Sequence, residues 1–208
     1  MLKRIVSKVP GAARVARAMG LAPKDERAIV LELLPKGGVG AEIGVHKGDF
    51  SEALLRTVAP TKLHLVDPWK HEDAPEYKDA WYGGQAHGGQ AEMDARYEGV
   101  RKRFETQLAS GQVVIWRAFS DEFLEQQADG SLDWIYIDGN HLYEYVKKDL
   151  ALSLRKVRVG GLVTGDDYSE GNWWQGGVKR AVDELMAEGS TRRVAIENGQ
   201  FVLEVLAR

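Results

Sequence analysis

The stretch Val39 to Ser51, VGAEIGVHKGDFS, limits what this chain can fold into more than any other. Val39 to Ile43 reads as a buried strand, Gly44 supports a turn, and a helix begins near Gly48. A parallel strand feeding a helix through such a turn aims backbone N–H groups and the positive helix end at a ligand beside the sheet. The spacing argues against two common ligand classes. A dinucleotide fingerprint needs G-x-G-x-x-G between strand and helix, but Gly38 and Gly40 come too early and Ile43 stands where the last glycine should be. A phosphate loop needs G-x-x-x-x-G-K-[ST], and the chain has no such run. What remains is E-x-G-x-x-x-G, with Glu42 inside the strand end. An acid there disfavours a pyrophosphate and suits a cationic amino group or a ribose hydroxyl. The bland alternative is an ordinary strand-to-helix turn.

Other segments repeat the strand-then-helix pattern. Lys62 to Val66, Val113 to Arg117, Leu132 to Ile137 and Leu162 to Gly165 read as further strands. Helical patterns follow the first strand as far as Val58, and span Val100 to Leu108, a segment starting at Asp121, Tyr143 to Lys156, and Val178 to Met186. Arg193 to Glu197 and Phe201 to Leu206 flank Asn198-Gly199, a strong hairpin signal. The expected fold is a mostly parallel α/β sheet ending in an antiparallel hairpin. With 208 residues, one domain is the default. Residues 36–208 are assigned to it and residues 1–35 to an N-terminal helical extension. Leu2 to Met19 reads there as two short basic amphipathic helices broken at Pro10-Gly11, packing on the domain edge or on a second subunit. Pro23 to Glu26 opens another helix, ending at Leu34. Residues 70–98 match neither a core strand nor a clean helix and are expected to form a substrate cover.

The acids fall at strand ends. Glu42, Asp67, Ser120, Asp138, Asp166 and Asp167 are brought by this topology to the carboxyl edge of one sheet, where open α/β folds bind ligands. Asp67, at the end of the second strand, is placed to grip ribose hydroxyls; its alternative role is a loop cap. Asp138, Asp166 and Asp167 should lie close together, and close carboxylates repel unless they share a proton or meet a cation. With zero cysteines, oxygen ligands favour a hard ion such as magnesium or calcium. The alternative is that these acids cap turns and a helix start. Trp69, Trp81, Tyr168, Trp173 and Trp174, in or beside glycine-rich loops, could wall a substrate ring, whereas Trp116 and Trp134 read as packing.

The segments EIGVHKGDFSEALL, LHLVDPW, SLDWIYIDGNHLYEYVKKDL, VGGLVTGDDY and GGVKRAVDEL resemble the class I S-adenosylmethionine-dependent methyltransferases. More narrowly they are similar to bacterial small-molecule and sugar O-methyltransferases of the macrocin O-methyltransferase type. The likeness covers about residues 38–206. It implies a Rossmann-like seven-stranded sheet with the last strand antiparallel and helices on both faces. It also implies that Glu42, Gly44, Gly48 and Ser51 line the methionine part of the cofactor with Asp138 nearby. Asp67 would hold the ribose, and the region around Ser120 would approach adenine. A magnesium ion is implied at Asp138, Asp166 and Asp167; catechol enzymes have asparagine where this chain has Asp167, which adds a charge without removing an oxygen ligand. Their general-base lysine has no secure match, so His141, three residues after Asp138, is the candidate base beside Asp138.

The expected reaction is methyl transfer to a hydroxyl of a sugar, glycoside or other vicinal diol. Two alternatives stand beside it: the same cofactor chemistry on RNA or protein, and a non-catalytic cofactor-binding or assembly module. The net charge of −3 gives no global attraction to nucleic acid. No apolar run approaches the ~20 residues that cross a bilayer. The N-terminus does not resemble a signal peptide, so the expectation is a cytoplasmic protein with no membrane partner, self-associating if at all through the N-terminal helices.

Overall fold

A computed structural model describes residues 26–80, 82, 86–171 and 173–207. The expected helices of Leu2 to Met19, with any self-association through them, and Trp81 lie outside the described residues. Seven strands form one sheet: β1 (Val39–Ile43), β2 (Lys62–Val66), β3 (Val113–Trp116), β4 (Leu132–Ile137), β5 (Val157–Gly165), β6 (Thr191–Glu197) and β7 (Gln200–Val205). Their order is β3-β2-β1-β4-β5-β7-β6. The β1–β2, β1–β4, β2–β3 and β4–β5 pairs are parallel, and β7 runs antiparallel to both β5 and β6. The expected Rossmann-like sheet is the one the chain forms.

The strand sequences explain why both faces are covered. In β1 every residue after Val39 is buried, and in β2 every residue after Lys62. Such runs need apolar partners on two sides. Along β4, Trp134 and Tyr136 join one core while Ile135 and Ile137 join the other, as the two-residue period of a strand requires. The first core takes in Leu54 of α2 (Asp49–Thr57), Val100 of α3 (Gly89–Arg103) and Val30 of α1 (Ala28–Leu33), with Phe104 ahead of the short α4 (Glu105–Ala109). The second takes in Phe123 of α5 (Ser120–Gln126), Leu150 of α6 (Tyr143–Lys156) and Val182 of α7 (Gly177–Ala187). Each fully buried leucine, such as Leu54, contributes about 1.5–3 kcal/mol to holding the layers together.

Three local outcomes refine the expectations. Residues 89–98 belong to the regular helix α3, whose buried positions are Met93 and Val100; a stripe that sparse leaves little periodic signal. Among the described residues, the rest of the expected cover carries a 3-10 turn at Pro75–Tyr77. Strand β5 begins at Val157, five residues before Leu162, because its pairing with β4 carries an irregularity between Leu132 and Trp134 that takes Gly160-Gly161 into the strand. Asn198 and Gly199, at φ 53° and 79°, join paired Glu197 and Gln200 as the expected two-residue hairpin turn. Among the described residues, no helix is long and apolar enough to cross a membrane.

Candidate active site

Sheet register assembles the site. Ile43 pairs with Val66 and with Ile137, and Ile137 pairs with Gly165. The residues that follow these strand ends continue the pattern: Gly44 N donates to Val66 O at 2.9 Å, Asp138 N to Ile43 O at 2.8 Å, and Asp166 N to Ile137 O at 3.1 Å. Asp67, Gly44, Asp138 and Asp166 therefore stand in one row across β2, β1, β4 and β5.

Gly44 turns the chain out of β1 at φ +90°, where a Cβ would lie 1.9 Å from the Asp138 carbonyl oxygen. A side chain has no room there. Gly48, at φ +80°, precedes α2 and lets the Phe104 ring approach. Beneath the turn, Glu42 is 1% exposed and accepts a 2.5 Å hydrogen bond from Ser51 Oγ. Burial pushes the Glu42 carboxyl up to about 8, although the Ser51 bond works the other way. Asp67, equally buried, accepts from His46 N at 2.9 Å, from Trp69 N at 2.7 Å and from the Tyr82 hydroxyl. Burial raises it to about 7 against those backbone bonds and the charge of Arg96. Two acids held near neutrality in a buried, donor-rich turn suit a ligand that brings positive charge and hydroxyls.

At the ends of β4 and β5 the sequence reading missed Arg27. This residue, just before α1, sets its Nη2 2.5 Å from Asp138 Oδ2 and 3.0 Å from Asp166 Oδ2, while its Nε is 3.1 Å from the same Asp166 oxygen. Its guanidinium lies 5.0 Å from the Phe50 ring centre and 5.7 Å from that of Tyr136. Burial opposes the Arg27 charge, but Asp138, Tyr136 and Asp166 more than offset it and hold the group above its ordinary range. Burial likewise lifts the Asp138 carboxyl, with Arg27 pulling it down and Asp166 and Asp167 pushing it up.

Asp166 is turned toward this arginine. Its second oxygen accepts from Gln200 Nε2 and from Asp167 N, and the Tyr136 hydroxyl lies 3.3 Å from Oδ2. The expected set of Asp138, Asp166 and Asp167 is thus replaced by another grouping. Asp138, His141 and Asp167 each offer one ligand atom, all within 4.8 Å of one another. His141 Nε2 is 3.3 Å from Asp167 Oδ2. Burial drives the imidazole down to about 4, so it is neutral at neutral pH, and burial raises Asp167 to about 6.

Aromatic rings gather around His141. Trp173 and Trp174 lie 5.7 and 5.2 Å from its ring and stand perpendicular to each other, and Tyr77 meets Trp173 edge-on. Asn140 Nδ2 ties the Tyr77 hydroxyl to the β4 loop at 2.8 Å. One expected wall is corrected. Trp69 is 0% exposed, packed in the core with its Nε1 on His46 O at 2.9 Å, and offers no face to a substrate. Tyr168 has its hydroxyl committed to Asp183 of α7 at 2.7 Å. Ser120 Oγ donates to buried Asp149 at 2.6 Å. Trp134 is core as expected, and Trp116 is half-buried with its Nε1 on His64 Nδ1 at 3.0 Å.

A glycine turn beside buried acids, at the carboxyl edge of this sheet order, defines the class I S-adenosylmethionine-dependent methyltransferase fold. A family model described as a methyltransferase domain matches residues 41–168, more than half of the chain, and the protein belongs to that family. It is an S-adenosylmethionine-dependent methyltransferase. Solved structures agree on the fold. Cofactor-bound Rv0187 from MTB aligns with a TM-score of 0.61 at 13% identity, covering 99% of this chain and 94% of that one. An O-methyltransferase from Bacillus cereus in complex with SAH gives 0.55 at 16% identity, covering 93% and 87%. An rRNA methylase from Streptococcus thermophilus gives 0.52 at 11% identity, covering 86% and 93%. No curated protein matches the sequence.

Proposed function

We propose that the protein transfers the methyl group of S-adenosylmethionine to a hydroxyl of a small molecule bearing neighbouring oxygens, such as a sugar, glycoside or other vicinal diol. The observation that carries this is the convergence of Asp138, His141 and Asp167 within 4.8 Å, beside the acid-lined β1–α2 turn and under a cluster of aromatic rings. In this reading Glu42, Gly44, Gly48 and Ser51 line the methionine part of the cofactor, Asp67 takes the ribose hydroxyls, and the Ser120 region approaches adenine. Tyr77, from the cover expected over residues 70–98, meets Trp173 beside the acceptor.

The donor set fits a hard divalent ion through two carboxylate oxygens, with Asp138 and Asp167 as the residues that would hold it. When bound, such an ion lowers the pKa of a hydroxyl it touches. His141 then acts on the acceptor directly. Its neutral Nε2 takes the hydroxyl proton, the freed oxygen forms the new C–O bond, and the S–CH3 bond breaks to leave a neutral thioether. Asp167, 3.3 Å from Nε2, stabilises the imidazolium that forms.

Calorimetry is expected to detect S-adenosylhomocysteine binding in the micromolar range, and Asp67→Asn to weaken it about tenfold or more by removing an ionised hydrogen-bond acceptor. Absence of binding at millimolar ligand would overturn the reading. For the acceptor, sugars, glycosides and catechols are screened with and without magnesium. Activity that survives both EDTA and Asp138→Ala rules out the ion at this site.

A further inference from the structure

The Arg27 guanidinium sits where positive charge is needed between two half-buried carboxylates. Its Nη2 is bonded to Asp138 Oδ2 at 2.5 Å and Asp166 Oδ2 at 3.0 Å, so it already supplies a positive charge to a carboxylate that also belongs to the Asp138, His141 and Asp167 group. The rings of Phe50 and Tyr136, 5.0 and 5.7 Å from the guanidinium, flank the fork, and the side chain is 34% exposed. Arg27 immediately precedes α1, whose Val30 and Leu31 are buried and which packs on β7 and α2. The arginine thus links the two acids directly to the start of α1.

We propose that Arg27 is a resident cation that competes with a divalent ion for Asp138, making ion entry and docking of α1 mutually antagonistic. Asp138 is shared between the two arrangements: one oxygen is held by Arg27, while the carboxylate also belongs to the group formed with His141 and Asp167. Two cations on one carboxylate repel at a separation where protein interiors screen charge poorly. The coupling is reciprocal, so whatever Arg27 does to ion affinity, the ion does to the hold of Arg27 on the site. Arg27 is accordingly a positioning residue: it keeps Asp138 and Asp166 aimed and charge-balanced before the ion and substrates arrive. This inference rests on the ion site proposed above for its choice of ligand, and not on methyl transfer itself.

The test uses the full chain, with Mn2+ followed by electron paramagnetic resonance in wild type, Arg27→Met and Arg27→Lys. Arg27→Met is expected to bind Mn2+ at least about tenfold more tightly than wild type. Arg27→Lys, a point charge without the fork, should fall between them. In wild type, saturating Mn2+ should speed amide hydrogen exchange of residues 28–33. A purely structural Arg27 predicts the reverse, a lower melting temperature with equal or weaker Mn2+ binding, and that result would overturn the proposal. So would unchanged exchange in α1, or no Mn2+ binding by any of the three proteins. S-adenosylhomocysteine calorimetry on the same samples separates the two readings. Failure of wild type to bind it removes the methyl-transfer function while leaving the Mn2+ comparison to stand or fall alone.

Discussion

Replacing Gly44 by alanine is expected to abolish detectable cofactor binding and to destabilise the fold by about 2–4 kcal/mol. Two costs add at this position. The backbone is at φ +90°, a conformation that glycine adopts readily and alanine does not, and the new methyl would stand 1.9 Å from the Asp138 carbonyl oxygen. Because the obstacle is backbone rather than a flexible side chain, β1 and β4 would have to separate at their ends. That moves Glu42 and Asp138 apart, where the ligand is to be held. Denaturant melts measure the first loss and calorimetry the second. A variant with wild-type stability and undiminished affinity would contradict the assignment of this turn as the cofactor cradle. Gly37, with a positive φ of 73° and open space around it, is the matched control, where alanine meets backbone strain without the collision.

The free protein is expected to lose several kcal/mol of stability between pH 6.5 and pH 8.5. Glu42 is raised to about 8 and Asp67 to about 7 in the fold, above the usual carboxylate range. A group raised on folding contributes stability that is present below its unfolded pKa and disappears as pH climbs through the folded value. For Glu42 alone the loss between pH 6.5 and 8.5 is about 2 kcal/mol. His46, His64 and His141 act oppositely: burial lowers each to about 4, so their contribution is present above the unfolded value and vanishes as pH falls. Below pH 6.5 the two sets oppose each other; above it the carboxyls act alone. Glu42→Gln, which keeps the neutral shape, should flatten the alkaline fall in a series of urea melts. S-adenosylmethionine should also flatten it, because its sulfonium and ammonium charges favour the ionised acids. An alkaline slope unchanged in Glu42→Gln would show that Glu42 does not titrate as argued.

The sheet was readable because parallel strands buried on both faces are written as largely apolar runs, and because β2, β4 and β5 each stop at an acid. Asn198-Gly199 identified the hairpin for an equally local reason, since two successive positive φ angles demand those residue types. Glu42, Asp67, Asp138 and His141 could be picked out by their places after strand ends. Arg27 could not, because an arginine ahead of a short helix looks like a solvated charge until the fold carries it to two strand ends far along the chain. Arg96, whose charge reaches Asp67, was hidden for a similar reason: α3 shows almost no apolar periodicity, so nothing marked which of its faces turns inward. Trp69 was misplaced by its neighbours. A tryptophan beside a loop acid resembles a stacking wall, yet the sharp backbone at φ 40° drives the ring under the turn.

Gln200 opens β7 directly after the hairpin turn, and its side chain reaches both Asp166 and the Tyr136 hydroxyl. The tip of the last hairpin is therefore mechanically tied to the chemistry, whereas Thr191, at the other end of β6, is remote from it along the strand. Anyone fusing a reporter or grafting a longer loop at Asn198-Gly199 would be altering the wall behind the acids.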